Sequence, residues 1–530
     1  MKTDSFFGRQ NYLEILHKRV NGLKQGYRQN IAITGDELAG KTSIIFKFLE
    51  TFCDNQLLIL YLEVRPESAF SFAKRFIGVL LYNFLSNSGM PLEEDVDFLV
   101  NKSERFAPKT VERIRYILSL CNKRKKESLI TELFTLTESL FQETGKHSVI
   151  ILDEFNNLEH LGFKNPYKEW SKLLVTQKNT LYIIISSMKY RAKAILSKEL
   201  SLLFGNFELV TVEPFDVRSS EQFLESRFEG VHINTGLKDF IIHFTGGFPL
   251  YLKIIADALK GSTADKLPEI LESLLFDAHG VLNQRYSNYI KRFLDYPNSN
   301  DFISILYLVA CGRNKIREMA HILRKQRKEL LLRVNKLLEL DAVSRSGDFL
   351  KINDRVFGFW LGLVYQEKLQ SLTFDAKYQK LRFRDRIEGM VREFTASTQR
   401  PLIERLSELL HLFEDETIQV ERKKVRLRHF REIKTLEFKR CDLKYGLIAR
   451  SSEGTWIMAV KDAHLTEEDI LEFSKECRKY RQKLEKKIII ALEDIDTNTR
   501  LRAMEEKIWT WDINNLNQIF DLFAKPCVII

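Results

Sequence analysis

Closely spaced cysteines are missing from this chain. Six cysteines stand at 53, 121, 311, 441, 477 and 527, too scattered for a zinc knuckle or a Cys-x-x-Cys redox motif. Reduced thiols, as in a cytoplasmic protein, are the expectation. A membrane-length apolar run is missing as well, since none approaches the ~18 residues needed to cross a bilayer. The opening stretch MKTDSFFGRQ has no apolar core of the kind a signal peptide carries. These absences point to a cytoplasmic protein with no membrane partner. What is present is 44% hydrophobic and 29% charged residues, the balance of a folded globular chain. At 530 residues the length suggests about three to five domains. A net charge of +10 permits a nucleic-acid partner without demanding one, because 72 acidic residues are interspersed among the basic ones.

One stretch organises the rest. Residues 31–45 read IAITGDELAGKTSII: an apolar strand, a loop bracketed by Gly35 and Gly40, and an amphipathic helix opened by Lys41 and Thr42. This is the phosphate-binding loop spacing. Glycines let backbone N–H groups curl around a phosphate, and the helix N-terminus adds partial positive charge. The expected cradle for ATP is Gly35, Asp36, Glu37, Leu38, Ala39, Gly40, Lys41, Thr42 and Ser43. Lys41 is expected on the β- and γ-phosphates, and the Thr42 hydroxyl on Mg²⁺.

The second half of such a site is expected at Ser148-Val-Ile-Ile-Leu-Asp-Glu-Phe155, a buried strand ending in two carboxylates. Asp153 is assigned to Mg²⁺ and Glu154 to polarising the attacking water as general base. Apolar runs at 57–64, 181–187 and 207–215 supply further strands of a parallel sheet. The run at 181–187 ends in Ser186 and Ser187, candidate sensors of the γ-phosphate, although serine is also common turn chemistry. Lys189 and Arg191 lie just beyond, within reach of a phosphate. Phe6-Phe7-Gly8-Arg9 leads into a helix with Leu13, Leu16 and Val20 on one face. Two readings stay open there: Arg9 near the nucleotide, or a helix that merely caps the sheet. Residues 90–127 read as a solvated loop or helical insertion. Their basic run Lys123–Lys126 is a solvated face by default and a DNA contact as the alternative. Gly246-Gly247-Phe248-Pro249 joins two helices, either as a plain connection or as a lid segment.

Together these parts resemble the archaeal-type P-loop ATPases of the STAND-like branch of the AAA+ superfamily. Phe7-Gly8-Arg9, Gly35 to Thr42, Ile150 to Glu154, Ser186-Ser187 and Gly246 to Pro249 carry the resemblance. It implies an α/β fold: a P-loop NTPase αβα core with helical lid, winged-helix domain and small nuclease-like C-terminal domain. It also implies that Gly247 and Pro249 belong to a helical lid near the nucleotide. Helices at 301–312, 314–323 and 325–340 with a two-stranded turn at 343–353 describe a winged helix. Its third helix offers Lys325, Arg327, Lys328 and Arg333 to double-stranded DNA phosphates, but winged helices also serve as protein contacts.

Residues 373–432 read as mostly helical. The basic run Glu421–Arg431 is taken as a solvated hinge in preference to an edge strand or a DNA-facing stripe. The last hundred or so residues look like a restriction-endonuclease-like domain. Strands are expected at 445–450, 455–461 and 487–492, and a helix at 466–484. Lys461 fits the catalytic lysine of that fold, but Ala459 stands at the acid position. Tyr445 or Gly446 stands where the other acid is needed, and Asp442 and Asp462 are misplaced. A nuclease-like fold without nuclease activity is therefore expected.

The expected divisions are 1–215 ATPase core, 216–295 lid, 296–372 winged helix, 373–432 linker and 433–530 degenerate nuclease-like domain. The expected function is an ATP-hydrolysing switch acting on or near DNA through its winged helix. Alternatives are a nucleotide-gated signalling or assembly scaffold without DNA contact, and a Mg²⁺-dependent DNase. A nucleotide-dependent homo-oligomer or a protein partner is compatible with each.

Overall fold

The computed structural model describes residues 6–529, apart from 87–91, 123–127, 201–206, 229–233, 261–265, 298, 371–374, 421–422, 439–442, 444 and 481–482. The basic run Lys123–Lys126 and Asp442 lie outside the described residues. The chain forms two compact units, residues 1–214 with 339–341, and residues 215–338 with 342–530.

The first unit is built on β1 (Asn30–Gly35), β2 (Leu57–Glu63), β3 (His147–Asp153), β4 (Thr180–Ser186) and β5 (Phe207–Val212). All neighbours are parallel, in the order β2-β3-β4-β1-β5. The central strands β1 and β4 are buried from end to end. Burial on both faces is why they read as unbroken apolar runs instead of alternating ones. Successive side chains feed two separate layers. Ile31, Ile33, Val149, Ile151, Ile183 and Ile185 meet α1 (Gln10–Lys24) and α2 (Lys41–Thr51) through Leu13, Leu16, Val20, Ile44 and Phe48. Ala32, Ile150, Leu152, Tyr182 and Ile184 face the opposite way, against Phe72, Phe76, Leu133, Phe134 and Trp170. Within 90–127, the helices Val96–Ser103 and Pro108–Asn122 join this second layer through Leu99, Val111, Ile114 and Ile117.

Among the described residues, the second unit begins with five helices between Val217 and Leu294. Pro249 sits at the first turn of Pro249–Leu259, where its missing N–H is no loss. Helices Ser299–Ala310, Ile316–Ile322 and Arg327–Glu339 lead into an antiparallel hairpin, β6 (Val343–Ser346) and β7 (Phe349–Ile352). The long helix Ala376–Thr398 and the helix Leu402–His411 follow.

The expected hinge is instead part of a hairpin, β8 (Thr417–Val420) with β9 (Lys423–Arg426). Ile418, Val420, Val425 and Leu427 enter an apolar cluster with Trp456, while Lys423, Lys424 and Arg426 stay exposed. Alternate burial of this kind holds a strand despite the density of charge. The β6–β7 turn docks on this hairpin. Asp348 N donates to Thr417 O at 2.9 Å, and Thr417 N donates to Asp348 Oδ2 at 2.9 Å. Gly347 has φ +62, and a Cβ there would lie 1.9 Å from Thr417 O. Only glycine fits.

The chain ends in a mixed sheet, β10 (Glu432–Glu437), β11 (Tyr445–Arg450), β12 (Thr455–Lys461), β13 (Leu484–Ala491) and β14 (Ile508–Trp511), adjacent in that order. The first two pairings are antiparallel and the last two parallel. The helix expected over 466–484 ends at Cys477, followed by a short turn to Tyr480. Its buried face runs through Ile470, Phe473 and Cys477, and Tyr480 packs against the same cluster from the short turn that follows. Among the described residues no helix is long and apolar enough to cross a membrane.

Candidate functional site

The strand order sets the site. With β4 between β1 and β3, the segments leaving β1 and β3 emerge at one sheet edge, about 10 Å apart by two strand spacings. Gly35 closes β1 opposite Val212 of β5, where a Cβ would lie 2.3 Å from the Val212 carbonyl oxygen. The loop then turns through Leu38 at φ +67 and Gly40 at φ +94. Nothing stands within 4 Å of the place a Gly40 Cβ would take, so the loop backbone is open there. Ala39 is buried beneath the loop, and Ser43 is exposed on the first turn of α2.

Lys41 opens α2 and is buried, its Nζ donating to Gly35 O at 3.0 Å and Asp36 O at 2.8 Å. Burial lowers its pKa, and the nearby charges of Glu154 and Asp153 oppose that. Lys189 reaches the loop as well, at 2.7 Å from Asp36 Oδ1. Asp153, at the end of β3, is also buried. Its Oδ2 accepts from Thr42 Oγ1 and from the Tyr61 hydroxyl, each at 2.9 Å.

Glu154 adopts φ +54, a left-handed conformation that turns its side chain out of the strand path. Its carboxylate accepts from Ser187 N at 3.1 and 3.2 Å and from Ser187 Oγ. Burial raises the Glu154 pKa, against the opposing pull of Ser187 and Lys41. Ser186 differs from its expected role as a phosphate sensor. It is fully buried, donating to Asn156 Oδ1 at 2.7 Å and accepting from Met188 N at 3.0 Å. Arg191 pairs with Glu159 and Glu199. Arg9 donates at 2.7 Å to the carbonyl of Glu213, the residue after the strand end that faces Gly35. A glycine cradle, a buried lysine and a Thr–Asp pair now stand at one edge of a five-stranded parallel sheet.

The fold is that of a P-loop ATPase core. No family model matches this sequence, and a comparison with curated proteins finds no match. Solved structures do resemble it. A Walker-type ATPase of Pyrococcus abyssi is 16% identical with a TM-score of 0.49, covering 68% of this chain and 97% of that one. The Aeropyrum pernix ORC2 protein, in its ADPNP–ADP complexes, is 13% identical with a TM-score of 0.40, over 69% and 96%. A STAND protein with a tetratricopeptide repeat sensor from Pyrococcus horikoshii is 15% identical with a TM-score of 0.30, over 77% and 50%.

The residues of this P-loop core fit a Mg²⁺–nucleotide. Among the described residues, no group of three or more His, Cys, Asp or Glu is placed to hold a metal. A Mg²⁺ at Thr42 and Asp153 therefore needs phosphate oxygens and water to complete its shell, as nucleotide-bound Mg²⁺ does. Tyr61 and Asn156 were not singled out from the sequence. Tyr61 is the one hydroxyl-bearing side chain of β2, and Asn156 follows Glu154 by two residues.

Two further sets of expected residues lie in the second unit. Lys325 and Arg333, both partly exposed, pair with Asp301 at 3.1 and 3.4 Å. Arg327 and Lys328 are exposed. Lys461 is buried and pairs with buried Asp469 at 3.1 Å. Asp469 also closes a capping box with Thr466 at the start of Glu467–Cys477. Ala459 lies directly opposite Gly446, so neither partner at that register carries an acid.

Proposed function

We propose that this chain binds and hydrolyses ATP at the edge of its parallel sheet and acts as a nucleotide-dependent switch. The observation that carries the reading is the 2.9 Å contact between Thr42 at the start of α2 and Asp153 at the end of β3, beside buried Lys41 and half-buried Glu154. In this reading the loop N–H groups from Asp36 to Ser43 and the Lys41 ammonium bind the phosphates. Thr42 and Asp153 hold Mg²⁺, which would offset phosphate charge. Glu154 takes a proton from the attacking water while Ser187 orients its carboxylate. Arg9 stands at the loop side of β5, suited to the base or ribose end. Pro249 and the helices around it are the expected lid. The test is Glu154→Gln, which should keep ATP binding and lose about 100-fold or more in turnover. Equal turnover would reject the assignment.

A second reading, nucleotide-gated assembly without DNA contact, is favoured by the segment expected to be a winged helix. Its hairpin is docked on β8, and two of its four expected DNA-binding cations face Asp301. Duplex binding that weakens steeply with salt, and that Lys328→Ala reduces, would restore the DNA reading. DNase activity is disfavoured because Lys461 is held by Asp469. Plasmid cleavage in Mg²⁺ would overturn that.

A further inference from the structure

The glycine loop carries charge of the wrong sign for a phosphate. Asp36 and Glu37 follow Gly35 directly, within the stretch whose N–H groups form the expected cradle. A carboxylate there repels the polyanion that the loop and the α2 N-terminus attract. Glu37 is exposed, so water screens much of its charge. Asp36 is less screened. Its side chain is 15% exposed, and its carbonyl oxygen lies 2.8 Å from Lys41 Nζ, the group assigned to the phosphates.

Lys189 meets this carboxylate. Its Nζ stands 2.7 Å from Asp36 Oδ1 and 2.8 Å from Oδ2, joining positions 153 residues apart. The backbone is anchored on both sides of Lys189. Ser187 N donates to the Glu154 carboxylate. Tyr190 N donates at 3.0 Å to Oδ2 of Asp341, a residue that groups with the first unit. Arg191, the next cation of this segment, is taken by Glu159 and Glu199. Lys41 is turned instead to the carbonyl oxygens of Gly35 and Asp36. The segment after β4 thus brings a lysine to the loop and sets it on the loop's acid.

We propose that Lys189 is a positioning residue of the nucleotide site that acts through Asp36: it neutralises that carboxylate, so that the loop accepts a triphosphate, and does not itself touch the nucleotide. This rests on the ATP reading of the same loop and deepens it. Three roles for the lysine separate cleanly by charge. If Lys189 cancels Asp36, removing both charges restores the loop. If it bound the phosphates directly, removing Asp36 would not replace it. If the pair only held the shape of the loop, losing either partner would do equal harm.

The experiment titrates the full-length chain with fluorescent ATP and ADP analogues in Mg²⁺. Lys189→Ala should weaken ATP binding by about tenfold or more, through the repulsion left at Asp36. It should weaken ADP binding less, because ADP carries one charge fewer, and both losses should shrink as salt is raised. Lys189→Arg should bind as the parent does. Asp36→Asn, nearly isosteric, should bind ATP at least as tightly as the parent. Lys189→Ala combined with Asp36→Asn should return to within about threefold of the parent, a non-additive recovery. Unchanged ATP binding in Lys189→Ala would overturn the proposal. A double variant as weak as Lys189→Ala would overturn it in favour of direct phosphate contact. Asp36→Asn as weak as Lys189→Ala would overturn it in favour of a purely structural pair. A parent chain that binds neither nucleotide would overturn the ATP reading itself and this inference with it.

Discussion

Asp153 Oδ2 accepts two hydroxyls, from Thr42 on α2 and Tyr61 on β2. Asp153 is thus held from both sides before any metal arrives, which limits the reorganisation that metal binding requires. Tyr61→Phe should cost about 1 kcal/mol in urea unfolding, for one hydrogen bond to a charged group at a half-buried hydroxyl. It should also raise the Mg²⁺ concentration at half-maximal ATPase activity. An unaltered Mg²⁺ titration would show that Tyr61 is a packing residue only. Glu154 gives a pH prediction. Burial raises its pKa, so the acid limb of kcat/KM should lie above the usual glutamate range, with activity rising with pH as the carboxylate forms. The stability sign is opposite: ionising a group whose folded pKa is raised costs stability, so Glu154's contribution falls over the window in which activity rises. A limb at an unperturbed glutamate pKa would contradict the burial seen here. Gly35, Lys41, Thr42, Asp153 and Glu154 were legible because a strand, a glycine loop and a helix sit within fifteen residues and both strands are apolar runs. The Tyr61 contact was not legible, since it joins positions separated by 92 residues through strand register.

At the scale of elements, the parallel sheet announces itself and the short hairpins do not. β1, β3 and β4 are buried on both faces, so each carries an apolar run, Ile31 to Ile33, Val149 to Leu152 and Leu181 to Ile185. In β9 only Val425 is buried while its three neighbours carry charge, and a run of that composition resembles a solvated segment. Its strand state is imposed by tertiary contacts, from Trp456 below and Thr417–Val420 alongside. The docked β6–β7 turn gives the element-scale prediction. Gly347→Ala places a methyl group against the Thr417 carbonyl at a positive φ. The expected destabilisation is about 2 kcal/mol or more, combining backbone strain with a displaced contact. Urea unfolding measures it, and a stability equal to that of the parent would show that the turn can slide off β8. Ser346→Ala, which removes only the hydroxyl shared with Gln419, should cost less.

The whole molecule has two compact units with separate apolar cores, and the separation predicts separable responses. ATP with Mg²⁺ at about 100 times its dissociation constant should stabilise only the first unit, by about 2.7 kcal/mol. Lys461→Ala should destabilise only the second, by about 3–5 kcal/mol, because it strands the buried Asp469 carboxylate. Calorimetry should then show two transitions, one moved by nucleotide and the other by the substitution. One transition shifted by both would refute independent unfolding. The second unit was the less legible of the two. Its shared cluster draws Phe349, Leu406, Phe413, Val425 and Trp456 from widely separated stretches, and no local pattern in the sequence links them.

The Gly347 turn also sets an order of events at the ribosome. Its backbone partner, Thr417, is made 69 residues after Asp348. At about 5–20 residues per second, that leaves roughly 3–14 s in which the nascent turn has no strand to close on. The parallel sheet, complete by Val212, has every strand it needs before that wait begins. The nascent chain is therefore expected to carry a finished nucleotide fold while its later half is still waiting for its own partner strand.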